Sequence, residues 1–156
     1  MLVLPGVASA RVADGAGLGF LWPADGIVSS PFGPRAGGFH PGIDIGSLRD
    51  LTVRAASSGR VAAVGAVTGY EGYGNVVVVD LGGGFTTIYA HLATATTRVG
   101  SLVSRGETIG IAGCTGWCSG THLHFELRDN GRPIDPASLF GMGAPLGYTP
   151  SLIQGG

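Results

Sequence analysis

Short apolar runs, each bounded by glycine, set the pattern of this chain. Val, Ile and Thr concentrate in residues 59–67, 74–81, 85–91, 108–112 and 121–128, and runs of that length and composition predict β-strands. No amphipathic run of helical period reaches ten residues with caps at both ends. Helices are therefore expected to be minor and the domain all-β. Residues 75–81 are nearly continuous valine, which predicts a central strand. Residues 86–91 are more mixed and predict a strand with one side on a cleft, and Gly82-Gly83-Gly84 between the two predicts a hairpin turn.

At 156 residues the chain is long enough for one real core and too short for two. The ordered pattern starts near Leu21-Trp22-Pro23. Residues 1–20 are expected to be a leader remnant or flexible arm, 21–140 the domain proper, and 141–156 a Gly/Pro-rich tail that serves as a covering arm or the start of a linker. Met1 to Ala10 is apolar and ends in Ala8-Ser9-Ala10, like the end of a signal peptide with its cleavage motif. It lacks a basic leading region and is interrupted by Pro5, so a plain linker stays open. No run of 18 apolar residues occurs, so no membrane-spanning helix is expected.

Composition narrows the function classes. Glycine supplies 30 of the 156 residues without a collagen-like period, which calls for many tight turns. The nine basic residues against ten Asp plus Glu give a net charge of -1, and no basic run exists to track a phosphate backbone or an anionic lipid surface. Nucleic acid is not an expected partner. Every basic residue is Arg, a bias that points to a GC-rich bacterial genome on compositional grounds. The absence of Lys removes a swinging lipoyl- or biotin-type carrier, which needs an acceptor lysine.

All four histidines fall into one ordered pattern: His40 four residues before Asp44, His91 after a strand, then His122 and His124 in His-Leu-His. Pro41 and Gly42 disfavour a helix, so His40 and Asp44 are not spaced along one helical face as in H-E-x-x-H. In an extended or turned segment, residues two and four apart share a side, which lets both reach one ion. Strand alternation likewise turns His122 and His124 to one face and Leu123 to the other. A catalytic zinc uses three N or O ligands and keeps one position open, so two His and one Asp suffice and two imidazoles remain for proton transfer and charge stabilisation. Spacing alone does not tell which of His122 and His124 is the ligand.

Six segments in order carry a resemblance to a known family: Ser29 to Arg35 (SSPFGPR), His40 to Gly46 (HPGIDIG), Gly72 to Asn75 (GYGN), Tyr89 to Leu92 (YAHL), Gly106 to Gly110 (GETIG) and His122 to Glu126 (HLHFE). Over roughly 23–140 the chain resembles the lysostaphin-type, LytM-like zinc endopeptidases, which are murein hydrolases. The resemblance implies an antiparallel β-sheet or sandwich, like a duplicated hybrid motif, with a catalytic groove. It implies one zinc ion on His40, Asp44 and His124, with His122 as general base and His91 orienting water or stabilising the tetrahedral intermediate. It further implies a monomeric zinc metallo-endopeptidase, secreted or held in the cell envelope, acting on the stem or cross-bridge peptides of peptidoglycan.

Two other classes compete. A catalytically silent envelope module of the same fold activates other wall hydrolases and has typically lost ligand residues, whereas all five are kept here. A zinc D-Ala-D-Ala carboxypeptidase of different fold spaces its first His and Asp seven apart and carries a Glu three before the last His; here the spacing is four and position 121 is Thr.

The departure from the family pattern is Gly113-Cys114-Thr115-Gly116-Trp117-Cys118-Ser119-Gly120, where relatives usually carry Ser or Asn at the cysteine positions. Two thiolates added to two His and one Asp would overfill a catalytic site. A Cys114–Cys118 disulfide fits a secreted chain, and two buried free thiols are the alternative. Trp117, Tyr73, Asn75 and Arg35 are groove candidates, with turn, core or ion-pair roles as the alternative. Asp50, Asp80 and Asp135 belong to no constellation and are expected to be turn or surface acids.

Overall fold

The computed structural model describes residues 20–139. The expected tail at 141–156, and the expected arm at 1–20 except Phe20, lie outside the described residues. The described chain is antiparallel β-structure: β1 (Ile27–Ser30), β2 (Gly33–Arg35), β3 (Gly38–His40), β4 (Ile43–Gly46), β5 (Thr52–Arg54), β6 (Gly59–Ala66), β7 (Asn75–Gly82), β8 (Phe85–Ala95), β9 (Leu102–Val103), β10 (Thr108–Ala112), β11 (Leu123–Asp129) and β12 (Arg132–Ile134). Single 3₁₀ turns at Glu71–Tyr73 and Pro136–Leu139 are the only helical segments among the described residues, and no helix there is long and apolar enough to cross a membrane.

The main sheet runs β1-β4-β11-β8-β7-β6-β9, while β10 pairs with β5 and β8, β12 with β11, and β2 with β3 as a separate hairpin. The valine run becomes β7, between β6 and β8. Its two sides are both buried: Val77 and Val79 join the main core with Tyr89, Leu92 and Phe125, whereas Val76 and Val78 pack with Ile88 and Ala90 beneath Tyr70 and Tyr73. A strand covered on both faces has no polar side to show, which is why its sequence does not alternate. Five strands coincide, within a few residues, with the five apolar runs. The seven others span four residues or fewer, too short for a period to show. Asp50, Asp80 and Asp135 each accept a backbone N–H two residues ahead, which are turn roles.

β8 is the hub and departs from simple alternation at one point. Its first half pairs with β11 as far as Ala90↔His124, its second half with β10 from Leu92↔Ala112, and His91 sits where the two partners diverge. His91 has φ 60°, in the left-handed region. On the β7 side, the register jumps between Val77↔Tyr89 and Asn75↔Leu92. Tyr89 and Leu92 are three apart yet both lie in the main core, so the bulge holds one extra residue and leaves Ala90 and His91 both turned away from that core.

The hairpin β2–β3 and strand β4 bring the first histidine motif onto the sheet. Gly42 between them lies so close to β11 that a Cβ there would meet the Phe125 carbonyl oxygen and the Glu126 side chain at 2.8 Å. That approach lets Asp44 on β4 sit directly opposite His124 on β11. Gly42→Ala should force the strands apart and lower stability by about 1–3 kcal/mol, the usual cost of overpacking. Urea denaturation checks this, and an unchanged midpoint would show that β4 can shift freely.

Candidate functional site

His40 is the last residue of β3, Asp44 lies in β4, and His124 is the second residue of β11. Their ligating atoms all lie within 4.8 Å of one another. Asp44 Oδ1 stands 2.8 Å from His124 Nδ1 and 3.2 Å from His40 Nε2, and the two ring nitrogens are 3.2 Å apart. The remaining nitrogen of each ring is already engaged. His40 Nδ1 donates to the Pro31 carbonyl at 2.8 Å, and His124 Nε2 donates to Glu126 Oε1 at 2.8 Å. A carbonyl or carboxylate can only accept, so each of these nitrogens carries its ring's proton. In the neutral rings, His40 Nε2 and His124 Nδ1 then present lone pairs to each other and to Asp44 Oδ1. Such a convergence is repulsive unless a cation lies between, and two imidazoles with one carboxylate suit zinc. The outward hydrogen bonds are of the kind that orient metal-binding imidazoles.

The protonation of this cluster follows the same geometry. Burial works to raise the Asp44 carboxyl pKa, but the favourable interaction of the carboxylate with the His124 and His40 rings outweighs it and holds the group well below the usual carboxylate range. Burial works to lower the His124 pKa, and the hydrogen bonds to Asp44 and Glu126 reverse this and raise it.

Glu126 closes the HLHFE motif without a role assigned to it from sequence, and it holds more of the site than any groove candidate. It is completely buried. One oxygen accepts from His124 Nε2 and from the Tyr73 hydroxyl, and the other from Arg128 Nε at 2.6 Å. Burial raises its pKa, and the bonds from His124, Arg128 and Tyr73 more than compensate, so it stays ionised. Strand alternation could have found it, because 122, 124 and 126 fall on one face. Burial, reinforced by the adjacent Glu126 carboxylate, pushes the Tyr73 phenol pKa well up, so Tyr73 remains a donor.

The two other imidazoles lie beside this cluster, their rings 4.8 Å apart. His91 Nδ1 donates to the Thr115 carbonyl at 2.7 Å, and His122 Nδ1 to the Gly120 carbonyl at 2.8 Å. Both acceptors belong to the loop joining β10 to β11, and nothing in the sequence marks a backbone carbonyl as an anchor. Each ring thus turns a free Nε2 outward, and His122 Nε2 comes within 3.7 Å of Asp44 Oδ1. Burial lowers the His91 pKa, which favours its neutral form.

A groove of about 660 Å³ runs over these residues and is lined by His40, Asp44, His91, His122 and His124 together with Arg35, Tyr70, Tyr73 and Trp117. Trp117 is 87% exposed; its ring lies against Gly72 and its backbone N–H donates to the Gly72 carbonyl at 2.9 Å, so it forms a rim of the groove wall and covers no core. Arg35 donates to Ser30 Oγ at 3.1 Å from the groove side. Asn75, expected as a groove residue, is not among the lining residues. Its backbone N–H reaches Thr115 Oγ1 and its amide donates to the Leu92 carbonyl, because its place at the start of β7 faces the loop and not the open cleft. Cys114 and Cys118 are joined by a disulfide with Cα atoms 5.2 Å apart.

The chain is similar to known proteins over the segment that carries this site. The chain is 39% identical over 118 residues to the DD-carboxypeptidase/endopeptidase Mpg of Neisseria gonorrhoeae, covering 72% of this chain and 26% of Mpg. It is 36% identical over 115 residues to the murein hydrolase activator NlpD of Escherichia coli, covering 74% of this chain and 29% of NlpD. The chain thus spans little more than a quarter of these curated relatives. Among solved structures, a zinc-containing peptidase from Vibrio cholerae superposes with a TM-score of 0.67 at 30% identity, over 78% of this chain and 39% of the other. The catalytic domain of lysostaphin from Staphylococcus simulans gives 0.61 at 31% identity, over 74% and 90%. Residues 38–136, more than half the chain and the whole span from β3 to the last strand, match the model of peptidase family M23, and the chain belongs to that family.

Proposed function

We propose that residues 21–140 form a zinc metallo-endopeptidase unit that hydrolyses peptide cross-links of bacterial peptidoglycan, in the envelope or outside the cell. The observation that carries this is the pairing of two arrangements in one groove: three lone pairs converging from His40, Asp44 and His124, and two further imidazoles whose Nε2 atoms are free beside them. The names of Mpg, an endopeptidase, and of lysostaphin, an antimicrobial peptidase, support the same activity. All five side chains come from one chain, so a monomer suffices.

Bound to His40 Nε2, Asp44 Oδ1 and His124 Nδ1, zinc would supply Lewis acidity to polarise a peptide carbonyl and to acidify a water near neutral pH. His122, whose free Nε2 stands 3.7 Å from the ligand carboxylate, accepts the water's proton; its Nδ1–H stays on the Gly120 carbonyl, which steadies the imidazolium that forms. His91 presents an acceptor nitrogen and is kept neutral by burial. That favours orienting the water over donating to an oxyanion, the two roles its position had left open. Glu126 keeps the His124 proton on Nε2 and so keeps Nδ1 available. Tyr70, Tyr73 and Trp117 line the groove with surface for a peptide.

A second reading has support from NlpD, an activator of murein hydrolases by name and 36% identical to this chain: a module that binds wall or enzyme without cutting. The two separate in solution. Purified chain should release new amines from peptidoglycan sacculi, a chelator should abolish that release, and added zinc should restore it. Silence on sacculi of several cross-link chemistries would favour the activator.

His40→Ala, Asp44→Ala and His124→Ala are each expected to lose tightly bound zinc together with activity, since a three-ligand site cannot spare a donor. His122→Ala and His91→Ala should keep near-stoichiometric zinc while turnover falls roughly 10²-fold or more. Metal analysis of the five variants decides the assignment; a zinc-free His91→Ala or a fully active His122→Ala would contradict it.

Glu126→Gln should weaken zinc binding by about 10- to 100-fold, the usual effect of removing a carboxylate behind a metal-bound imidazole. Competition with a chromophoric chelator measures this. Unchanged affinity would reduce Glu126 to a structural partner of Arg128.

A further inference from the structure

The loop between β10 and β11 is held unevenly. Its first half is pinned to the sheet: Thr115 Oγ1 donates to the Leu92 carbonyl at 2.7 Å and accepts from Asn75 N–H at 3.0 Å. Trp117 N–H reaches the Gly72 carbonyl at 2.9 Å, and Gly116 lies so close against Gly74 that neither can carry a Cβ. The second half, 118–121, has none of these ties and is exposed apart from half-buried Cys118. Yet this half supplies the Gly120 carbonyl that fixes His122. The loop's base is closed by the Gly113–His122 backbone bridge, His122 N–H donating to the Gly113 carbonyl at 3.3 Å, and within the loop the free half is joined to the pinned half by the Cys114–Cys118 bond. Cys118 Sγ lies 3.0 Å from the Gly120 carbonyl oxygen and 3.6 Å from His122 Nδ1, so the cross-link presses directly on the hydrogen bond that aims the ring. His91 differs, because its acceptor, Thr115, is pinned independently of the sulfurs.

We propose that the Cys114–Cys118 disulfide is a positioning element for His122: it holds the Gly120 carbonyl where it fixes the His122 tautomer and points Nε2 into the groove, so that proton transfer, and not zinc binding, depends on the disulfide. This rests on the peptidase reading, with His122 as the proton acceptor. Neither cysteine touches the reacting atoms. Their role is to remove a hinge that a loop with glycines at 113, 116 and 120 would otherwise have.

The test uses the full chain loaded with zinc and a water-soluble phosphine as reductant. The phosphine breaks the sulfur–sulfur bond, each cysteine leaves as a thiol, and the phosphine oxide takes its oxygen from water. Three quantities are read on oxidised, reduced and reoxidised protein, with Cys114→Ser/Cys118→Ser alongside: bound zinc, kcat and KM on a soluble cross-linked muropeptide, and the tautomers of the imidazoles from their ¹⁵N shifts. Reduction should lower kcat about 10- to 100-fold, the scale of a misplaced catalytic group, with KM changed less than about twofold. Zinc and the melting profile should hold, and reoxidation should restore kcat. The serine variant should match the reduced protein and ignore the reductant. In the spectra, His122 should lose its fixed Nδ1–H tautomer on reduction while His91 keeps its own. Undiminished kcat in protein shown by thiol titration to be reduced would overturn the proposal. So would a loss that tracks zinc release or unfolding, or His91 and His122 changing together. If the oxidised protein cleaves nothing, the peptidase reading fails by itself, and the His122 spectrum still decides whether the disulfide positions the ring.

Discussion

Three electron pairs directed into one small space define this molecule's design problem. His40 Nε2, His124 Nδ1 and Asp44 Oδ1 repel one another unless a cation or a shared proton lies between them, and the fold spends several of its features on holding them there regardless. Gly42 permits the close β4–β11 approach, the β4–β11 register sets Asp44 opposite His124, and Pro31 and Glu126 lock the outer nitrogens. A cluster of this kind is destabilising to an empty fold and favourable to a metal-bound one, because ligand preorganisation moves the ordering cost from binding to folding. Glu126 shows the scale of that commitment: a fully buried carboxylate is tolerated only because His124, Arg128 and Tyr73 all donate to it.

The second requirement is to place two more imidazoles beside this cluster without joining them to it. Continuous alternation along β8 would have turned His91 into the main core, beside Tyr89 and Leu92. The bulge reverses this at the expense of a left-handed backbone at a non-glycine residue, a strain of about 1–2 kcal/mol. It falls where β8 changes partner from β11 to β10, so the ladder that the bulge interrupts is already interrupted. The loop that fills the divergence then supplies both anchoring carbonyls, Thr115 and Gly120, and one structural event serves both rings.

These two requirements explain what could be read from sequence. Residue type and order were enough to pick out the side chains that the fold brings into one groove, because His and Asp suit metal ligation and proton transfer and this chain has no histidine outside the pattern. The long strands were legible because their runs exceed the two-residue period several times over. Strands β1 to β5 were not: each spans four residues or fewer, and their pairing is set by the long-range approach of β4 to β11 and by the turn geometry around it, not by local propensity. Asn75 illustrates a different limit. A polar side chain in a glycine-rich motif suits a groove and a loop anchor equally well, and only the tertiary position of Thr115 separates them. The division of labour between His122 and His124 was also beyond spacing, since it depends on which ring nitrogen each acceptor occupies.

Hydrogen-bond direction does work here that residue identity cannot. All four histidines have one nitrogen committed to an acceptor: Pro31, Thr115 and Gly120 carbonyls for His40, His91 and His122, and the Glu126 carboxylate for His124. Three are held through Nδ1 by neutral backbone oxygens and present Nε2. His124 alone is held through Nε2, and by a full negative charge, so it presents Nδ1. That inversion follows from the strand: an imidazole on β11 beside Asp44 has Glu126 two residues along the same face, within reach of Nε2 and not of Nδ1. A carboxylate behind the ring strengthens its donation to a cation, whereas His122 has only a neutral carbonyl behind it. In the proposed mechanism the same side-chain type is ligand in one place and proton carrier two residues away, and what separates the two rings is the charge of the oxygen behind each.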